Sequence, residues 1–345
     1  MKHDAFPIGG QTVAPGSRRT VDLPVSVMSD HTPVTMSVHV VNGRRPGPVL
    51  FVSAAIHGDE VIGVEIARRL LRAPQLSALR GTLLVVPIVN TFGFLNHSRY
   101  LPDRRDLNRS FPGSEGGSMA SRLAHLFMRE VVERSDFGID LHSAAIHRTN
   151  LPQVRISPTK PETEEFAQLF GAPVVIRANL REGSLRQEAQ RIGVDMLLFE
   201  AGEALRFDEL SSRVGTTGIL RVMHRMGMIG SRGVSRARTG PVIASSSAWV
   251  RAPAGGLLRA YKAAGDTVEE NDVLGAISDP FGERDEQLLA PFAGLIIGRS
   301  NMPVVNEGEA LFHIARTPHR DPAAAVETLT TQLEAETMYD EDEIL

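Results

Sequence analysis

The chain has 345 residues, 42% hydrophobic and 23% charged, enough to bury a substantial core and to form two domains. A formal net charge of −4 supplies no field for nucleic acid or an anionic membrane, and neither is expected as a partner. With no cysteine, disulfides, thiolate ligands and cysteine nucleophiles are excluded, so any transition metal must rest on His, Asp and Glu.

The opening MKHDAFPIGGQTV has no apolar core of signal-peptide length, and no stretch approaches the roughly 20 apolar residues of a membrane helix. The expectation is a soluble, cytoplasmic protein. In chain order, the alternation in TMSVHVVNG (residues 35–43) predicts a strand, closed by the turn GRRPGP. The continuous apolar run PVLFVSAAI (48–56) predicts a strand buried on both faces. Val64, Ile66, Ala67, Leu70 and Leu71 recur at helical spacing. TLLVVPIVN (82–90) is a second buried strand, SMASRLAHLFMREVVERS (118–135) an amphipathic helix, and FGIDLHSA (137–144) a third strand. PVVIRA and VDMLLFEAG add two strands around a helix in SLRQEAQRIG, and a further helix spans SSRVGTTGILRVMHRMGMIG. Alternating strands and helices predict an α/β fold with a sheet covered on both faces.

Residues 235–247 are small and polar, as a linker would be. Beyond them Ala252-Pro253-Ala254-Gly255-Gly256-Leu257 recurs as Ala290-Pro291-Phe292-Ala293-Gly294-Leu295, each followed by short strands and a Gly-Asp or Gly-Glu turn. Such a repeat predicts a small all-β sandwich or barrel. The expected division is 1–240, 241–316 and an acidic tail, 317–345, read as a solvated helix and frayed end.

Ligands collect at the carboxyl ends of strands in α/β sheets, and His57, Asn90, His142 and Glu200 all stand at or just beyond such ends. In HGDE, Asp59 and Glu60 read either as ordinary acids of a first helical turn or, for Glu60 with His57, as part of a metal site. A catalytic zinc site takes three protein ligands and leaves one position open, and DLHS offers the third. Asp140, two residues before His142, is expected on the other strand face, as a sheet-end or supporting group rather than a ligand. In RYLPDRRDLNRSFPG, Arg104 and Arg105 read as a solvated loop. Asn108 and Arg109 read as a fixed loop suited to an anionic substrate, because guanidinium holds carboxylate by paired hydrogen bonds.

As an ordered set, HGDE, DLNRSFPG, DLHSA and FEAGE resemble the succinylglutamate desuccinylase and aspartoacylase family, relatives of the zinc carboxypeptidases, over roughly residues 45–230. The repeat over about 248–315 matches the lipoyl- or biotinyl-like C-terminal domain of bacterial members. The resemblance implies a mixed central sheet flanked by helices, with one zinc per chain on His57, Glu60 and His142. It implies Asn108 and Arg109 as the grip on a substrate carboxylate and Glu200 as the acid/base residue, with Glu203 as rival. It also implies an arginine that polarises the scissile carbonyl. Arg99 resembles it, but two extra residues separate it from Asp106-Leu107-Asn108, which leaves Arg104 and Arg105 open. The implied activity is hydrolysis of the amide of a small N-acyl amino acid or related carboxylate-bearing amide. The alternatives are a zinc carboxypeptidase on peptides and a non-catalytic relative that uses the pocket for binding. The hairpin Ser278-Asp279-Pro280-Phe281-Gly282-Glu283 has no lysine, so no covalent carrier group is expected there. The repeat reads instead as a cap or an oligomer contact, with a homo-oligomer left open.

Overall fold

The computed structural model describes residues 3–157, 160–237 and 240–317. The reading of the acidic tail, Thr317 aside, lies outside them. The main strands and helices are β1 (Ser17–Val27), β2 (Pro33–Asn42), β3 (Arg45–Ala54), α1 (Ile62–Arg72), β4 (Arg80–Val86), α2 (Met119–Glu130), β5 (Phe137–Ala144) and β6 (Arg148–Ile156). They continue with α3 (Pro161–Phe170), β7 (Val174–Arg177), α4 (Leu185–Arg191), β8 (Asp195–Glu203), α5 (Glu209–Arg225), β9 (Ser247–Arg251), β10 (Gly294–Ser300) and β11 (Ala310–Ala315).

One mixed sheet runs in the order β9-β11-β10-β6-β8-β5-β3-β4-β2-β1. Its centre, β8-β5-β3-β4, is parallel, and β6, β2 and β1 join it antiparallel. Successive residues of a strand face opposite sides. Leu50 and Val52 of β3 therefore pack with Ile66 and Leu70 of α1 on one face, while Phe51 packs with Phe127 of α2 on the other. Gly138 is required by that second contact, since a Cβ there would lie 2.2 Å from the Phe51 ring. The expected mixed sheet between helical layers is the observed fold.

The repeat forms strands Gly256–Ala260, Val273–Ser278, Asp285–Leu289 and Val304–Val305 in one antiparallel sheet, facing β9, β10 and β11 across an apolar core that includes Leu258, Leu274, Ile277, Ile296 and Ile314. The two halves are equivalent in detail. A Cβ on Gly256 would meet the Ser278 carbonyl at 2.2 Å, and one on Gly294 would meet the Ala315 carbonyl at 2.2 Å. Two features differ from expectation. The polar segment expected as a linker contributes a strand, Val242–Ala244, parallel to β7. The β region is also hydrogen-bonded into the main sheet, with Gly298, Arg299 and Ser300 of β10 paired to Asn150, Thr149 and Arg148 of β6.

Candidate metal centre and active site

The parallel register sets the site. Ala54 pairs with Leu141, and His142 with Glu200, so three strand ends open side by side. Beyond β3 the chain turns sharply at Ala55, whose φ of 51° is unusual for a residue with a side chain. Gly58 follows, pressed so close to the backbone of Gly93 and Phe94 that a Cβ would lie 2.0 Å from a carbonyl carbon. This turn delivers His57 and Glu60 ahead of the helix. Helix α1 starts only at Ile62, so Asp59 and Glu60 are not acids of its first turn; Glu65 is. Asp59 is buried, and burial together with the neighbouring Glu60 charge lifts its carboxyl above the usual range. Asn90 caps the short helix Thr91–Leu95, its Oδ1 accepting from the Gly93 N–H at 2.9 Å.

His57 Nδ1 lies 2.6 Å from Glu60 Oε1, and His142 Nδ1 lies 2.7 Å from Glu60 Oε2. All three residues are 3% exposed or less, which places this polar cluster within the protein. The far nitrogens are held too: His57 Nε2 is 3.1 Å from Asp106 Oδ1, and His142 Nε2 is 2.7 Å from Asp140 Oδ2. Asp140 in turn accepts from the Ser53 hydroxyl at 2.7 Å. This corrects the expected placement of Asp140. Residues two apart on a strand share a face, so Asp140 stands beside His142 and supports its ring.

Burial opposes charge on both imidazoles, but the carboxylates outweigh it. Glu60 and Asp106 hold His57 above its ordinary pKa, and Asp140 and Glu60 hold His142 well above. Burial would raise the carboxyl of Glu60, yet the two imidazoles keep it far below the carboxylate range. Asp106 is likewise held low against burial by His57 and Arg99. So many buried acids require positive charge among them. A ligand atom from each of His57, Glu60 and His142 lies within 4.8 Å of the others, so a metal ion fits between them. Two histidines, one carboxylate and a carboxylate behind each ring form a donor set of the kind that holds zinc.

Arg99 donates to Glu60 Oε1 at 3.2 Å and to Asp106 Oδ2 at 3.1 Å. Arg104 and Arg105 are exposed, and Arg105 stands 3.7 Å from Asp103. Asn108 is buried, its Oδ1 accepting from the Leu185 N–H at 2.9 Å. Arg109 is exposed and donates to the Asn108 carbonyl. Glu200 Oε2 accepts from Asn150 Nδ2 at 2.7 Å and lies 3.3 Å from Arg155 Nη2. Glu203 is turned elsewhere, accepting from the His147 N–H and from Asn301 Nδ2, each at 3.0 Å.

The sequence reading missed Asn150, Arg155 and Arg186. Burial and Arg155 push the Arg186 guanidinium down to about 10, while Glu200 and Asp140 pull the other way. Arg186 Nη1 and Arg155 Nε are both buried without a hydrogen-bond partner among the described residues. The available signal was the arginine-rich flank of the SLRQEAQRIG helix, set close before FEAGE.

Residues 46–226 match the model of the succinylglutamate desuccinylase/aspartoacylase catalytic domain. An N-alpha-acetyl-L-2,4-diaminobutyric acid deacetylase from Halomonas elongata is 28% identical over 297 residues, 82% of this chain and 86% of that protein. A succinylglutamate desuccinylase/aspartoacylase from Rhodobacter sphaeroides superposes with a TM-score of 0.79 at 23% identity, over 87% of this chain and 96% of that one. The product-bound ectoine utilization protein EutE (DoeB) from Ruegeria pomeroyi gives 0.78 at 22% identity, over 87% and 95%.

Proposed function

The chain belongs to the succinylglutamate desuccinylase/aspartoacylase family, and from that premise we propose that it is a zinc-dependent, cytoplasmic deacylase of small N-acyl amino acids. The observation that carries the metal reading is the convergence of His57 Nδ1, His142 Nδ1 and the Glu60 carboxylate, each ring backed by a second acid. One zinc per chain bound there supplies a Lewis acid that polarises a carbonyl and acidifies a water. The protein supplies the rest. Glu200 takes the proton of the attacking water and passes it to the leaving amine. Arg99, poised at the edge of the ligand cluster, holds the oxygen on which negative charge develops. Asn108 and Arg109 receive the substrate carboxylate, and the guanidiniums of Arg155 and Arg186 reinforce the preference for an anionic substrate. The similarity to a deacetylase of an acylated diamino acid supports an amino-acid amide in preference to a peptide.

The test is hydrolysis of a panel of N-acetyl and N-succinyl amino acids, N-alpha-acetyl-L-2,4-diaminobutyric acid among them, against dipeptides, with elemental analysis. The expected result is turnover of an acyl amino acid that chelation removes and zinc restores. Turnover confined to dipeptides, or turnover indifferent to chelation, contradicts the reading.

A further inference from the structure

We propose that Asn150 is a positioning residue for the Glu200 carboxylate, locked in place by the backbone of Gly298 in the C-terminal β region. The inference rests on the reading of Glu200 as the acid/base group. Around Glu200 the strand β8 is irregular, its register breaking between Glu200 and Gly202 on the β6 side and between Glu200 and Glu203 on the β5 side. Such a bulge re-aims a side chain while weakening the ladder that would fix it. Contacts from outside the strand have to hold the carboxylate: the Arg155 guanidinium lies 3.3 Å away, and Asn150 Nδ2 donates the shorter contact at 2.7 Å.

A carboxylate only accepts, so the Asn150 amide must turn its NH2 toward Glu200 and its oxygen away. The side it turns toward is Gly298, its partner in the β6–β10 pair. A Cβ at Gly298 would stand 2.5 Å from Asn150 Oδ1 and 3.2 Å from the Thr149 carbonyl. No positive φ demands glycine at this position. Its missing side chain is what leaves room for the amide in this orientation. The part that would yield to an added methyl is the carboxamide, the free end of a side chain, rather than the backbone. Gly298 pairs on its other edge with His313, just after a register shift past Ile296, and Gln153 donates to the adjacent Ile297 carbonyl at 3.2 Å. Asn301 pins the end of the same strand by donating to Glu203 and Thr149. The β region is therefore part of the machinery that aims the base, in addition to any role at the mouth of the site.

The test compares Asn150→Ala, Gly298→Ala, the double variant and Glu200→Gln as zinc-loaded full chains, with N-alpha-acetyl-L-2,4-diaminobutyric acid as substrate. Each single variant is expected to lose about 10- to 100-fold in kcat, as fits one hydrogen bond to a charged group, with KM and zinc content unchanged. The double variant should be no slower than Asn150→Ala, because alanine at 150 leaves nothing for the new methyl to displace. Near-wild-type kcat in both single variants beside an inactive Glu200→Gln overturns the inference and leaves the base assignment standing. Fully additive losses in the double variant also overturn it. An active Glu200→Gln refutes the base assignment instead. A crystal structure of Gly298→Ala reads the contact independently of turnover: the amide is expected to have rotated off Glu200, and an amide still bonded to it refutes the locking role.

Discussion

The two sides of the candidate site are assembled by different means. On the His57 side, the groups come from a tight turn after β3 and from the neighbouring parallel strand β5, and every ring nitrogen meets a carboxylate. On the Glu200 side, the groups come from β8, from the antiparallel strand β6 and, through Gly298 and Asn301, from the C-terminal β region. The first side is held by charge balance among buried imidazoles and carboxylates, which fixes each partner. The second is held by strand register, so its geometry depends on how well two parts of the chain dock. Substitutions should sort accordingly: those of His57, Glu60 and His142 on the first side remove metal, and those on the second remove rate or stability and leave metal in place.

The largest effect should come from His57→Ala. Loss of one of three ligands is expected to reduce zinc from about one per chain to near zero and activity by more than about a thousandfold. Equal, stoichiometric zinc in this variant and wild type, measured by elemental analysis, would break the distinction between the sides. Arg99→Ala is expected next, with kcat/KM falling by the roughly two to four kcal/mol typical of a lost oxyanion contact, and with zinc retained. The same change at Arg104 or Arg105 should leave kcat/KM within about twofold, since both point into solvent.

On the β-region side, His313 is buried, stacks on Trp249 and is held down to about 3 by burial and the charges of Arg155 and Arg181. Its pKa is depressed on folding, so the unfolded chain takes up the proton first, below about 6.5. This residue's contribution to stability should therefore decline by about 1.4 kcal/mol per pH unit as pH falls from 6.5 toward 3. Urea titrations from pH 6.5 to 5 should show this slope in wild type and a flatter one in His313→Gln. Parallel slopes would contradict it. A small effect is expected from Glu203→Gln. It weakens the bonds to His147 and Asn301 and should cost about 1 kcal/mol of stability, with kcat within about threefold of wild type.

The same contrast explains how much of the fold and site is legible in the sequence. The parallel strands β3, β4, β5 and β8 are continuous apolar runs with chemistry directly at their ends, so HGDE and DLHS stand out. The repeat behind the β region shows itself in Ala-Pro-x-x-Gly-Leu. Strand β6 was not legible. RTNLPQVRI carries Pro152 in its middle, and it buries Asn150 and Gln153 where apolar side chains would mark a core strand. Their amide NH2 groups donate to Glu200 of β8 and to the Ile297 carbonyl of β10, a long-range pairing that no local pattern announces. β1 does carry a local signal, the alternation of Val21, Leu23 and Val25, with Pro24 within it. Asp140 shows the reverse case: expected on the other strand face, it shares a face with His142 and meets its ring.

The central claim is that Glu200 performs proton transfer beside a metal centre it does not help to hold. Turnover and zinc content of Glu200→Gln, measured on the same zinc-loaded preparation against wild type, test it most directly. Glutamine keeps the shape of the side chain and cannot take the proton. The expected result is a kcat lower by about a hundred- to ten-thousandfold with zinc unchanged. Near-wild-type turnover at full zinc occupancy, with Glu203→Gln inactive, would contradict the claim and exchange the roles of the two glutamates.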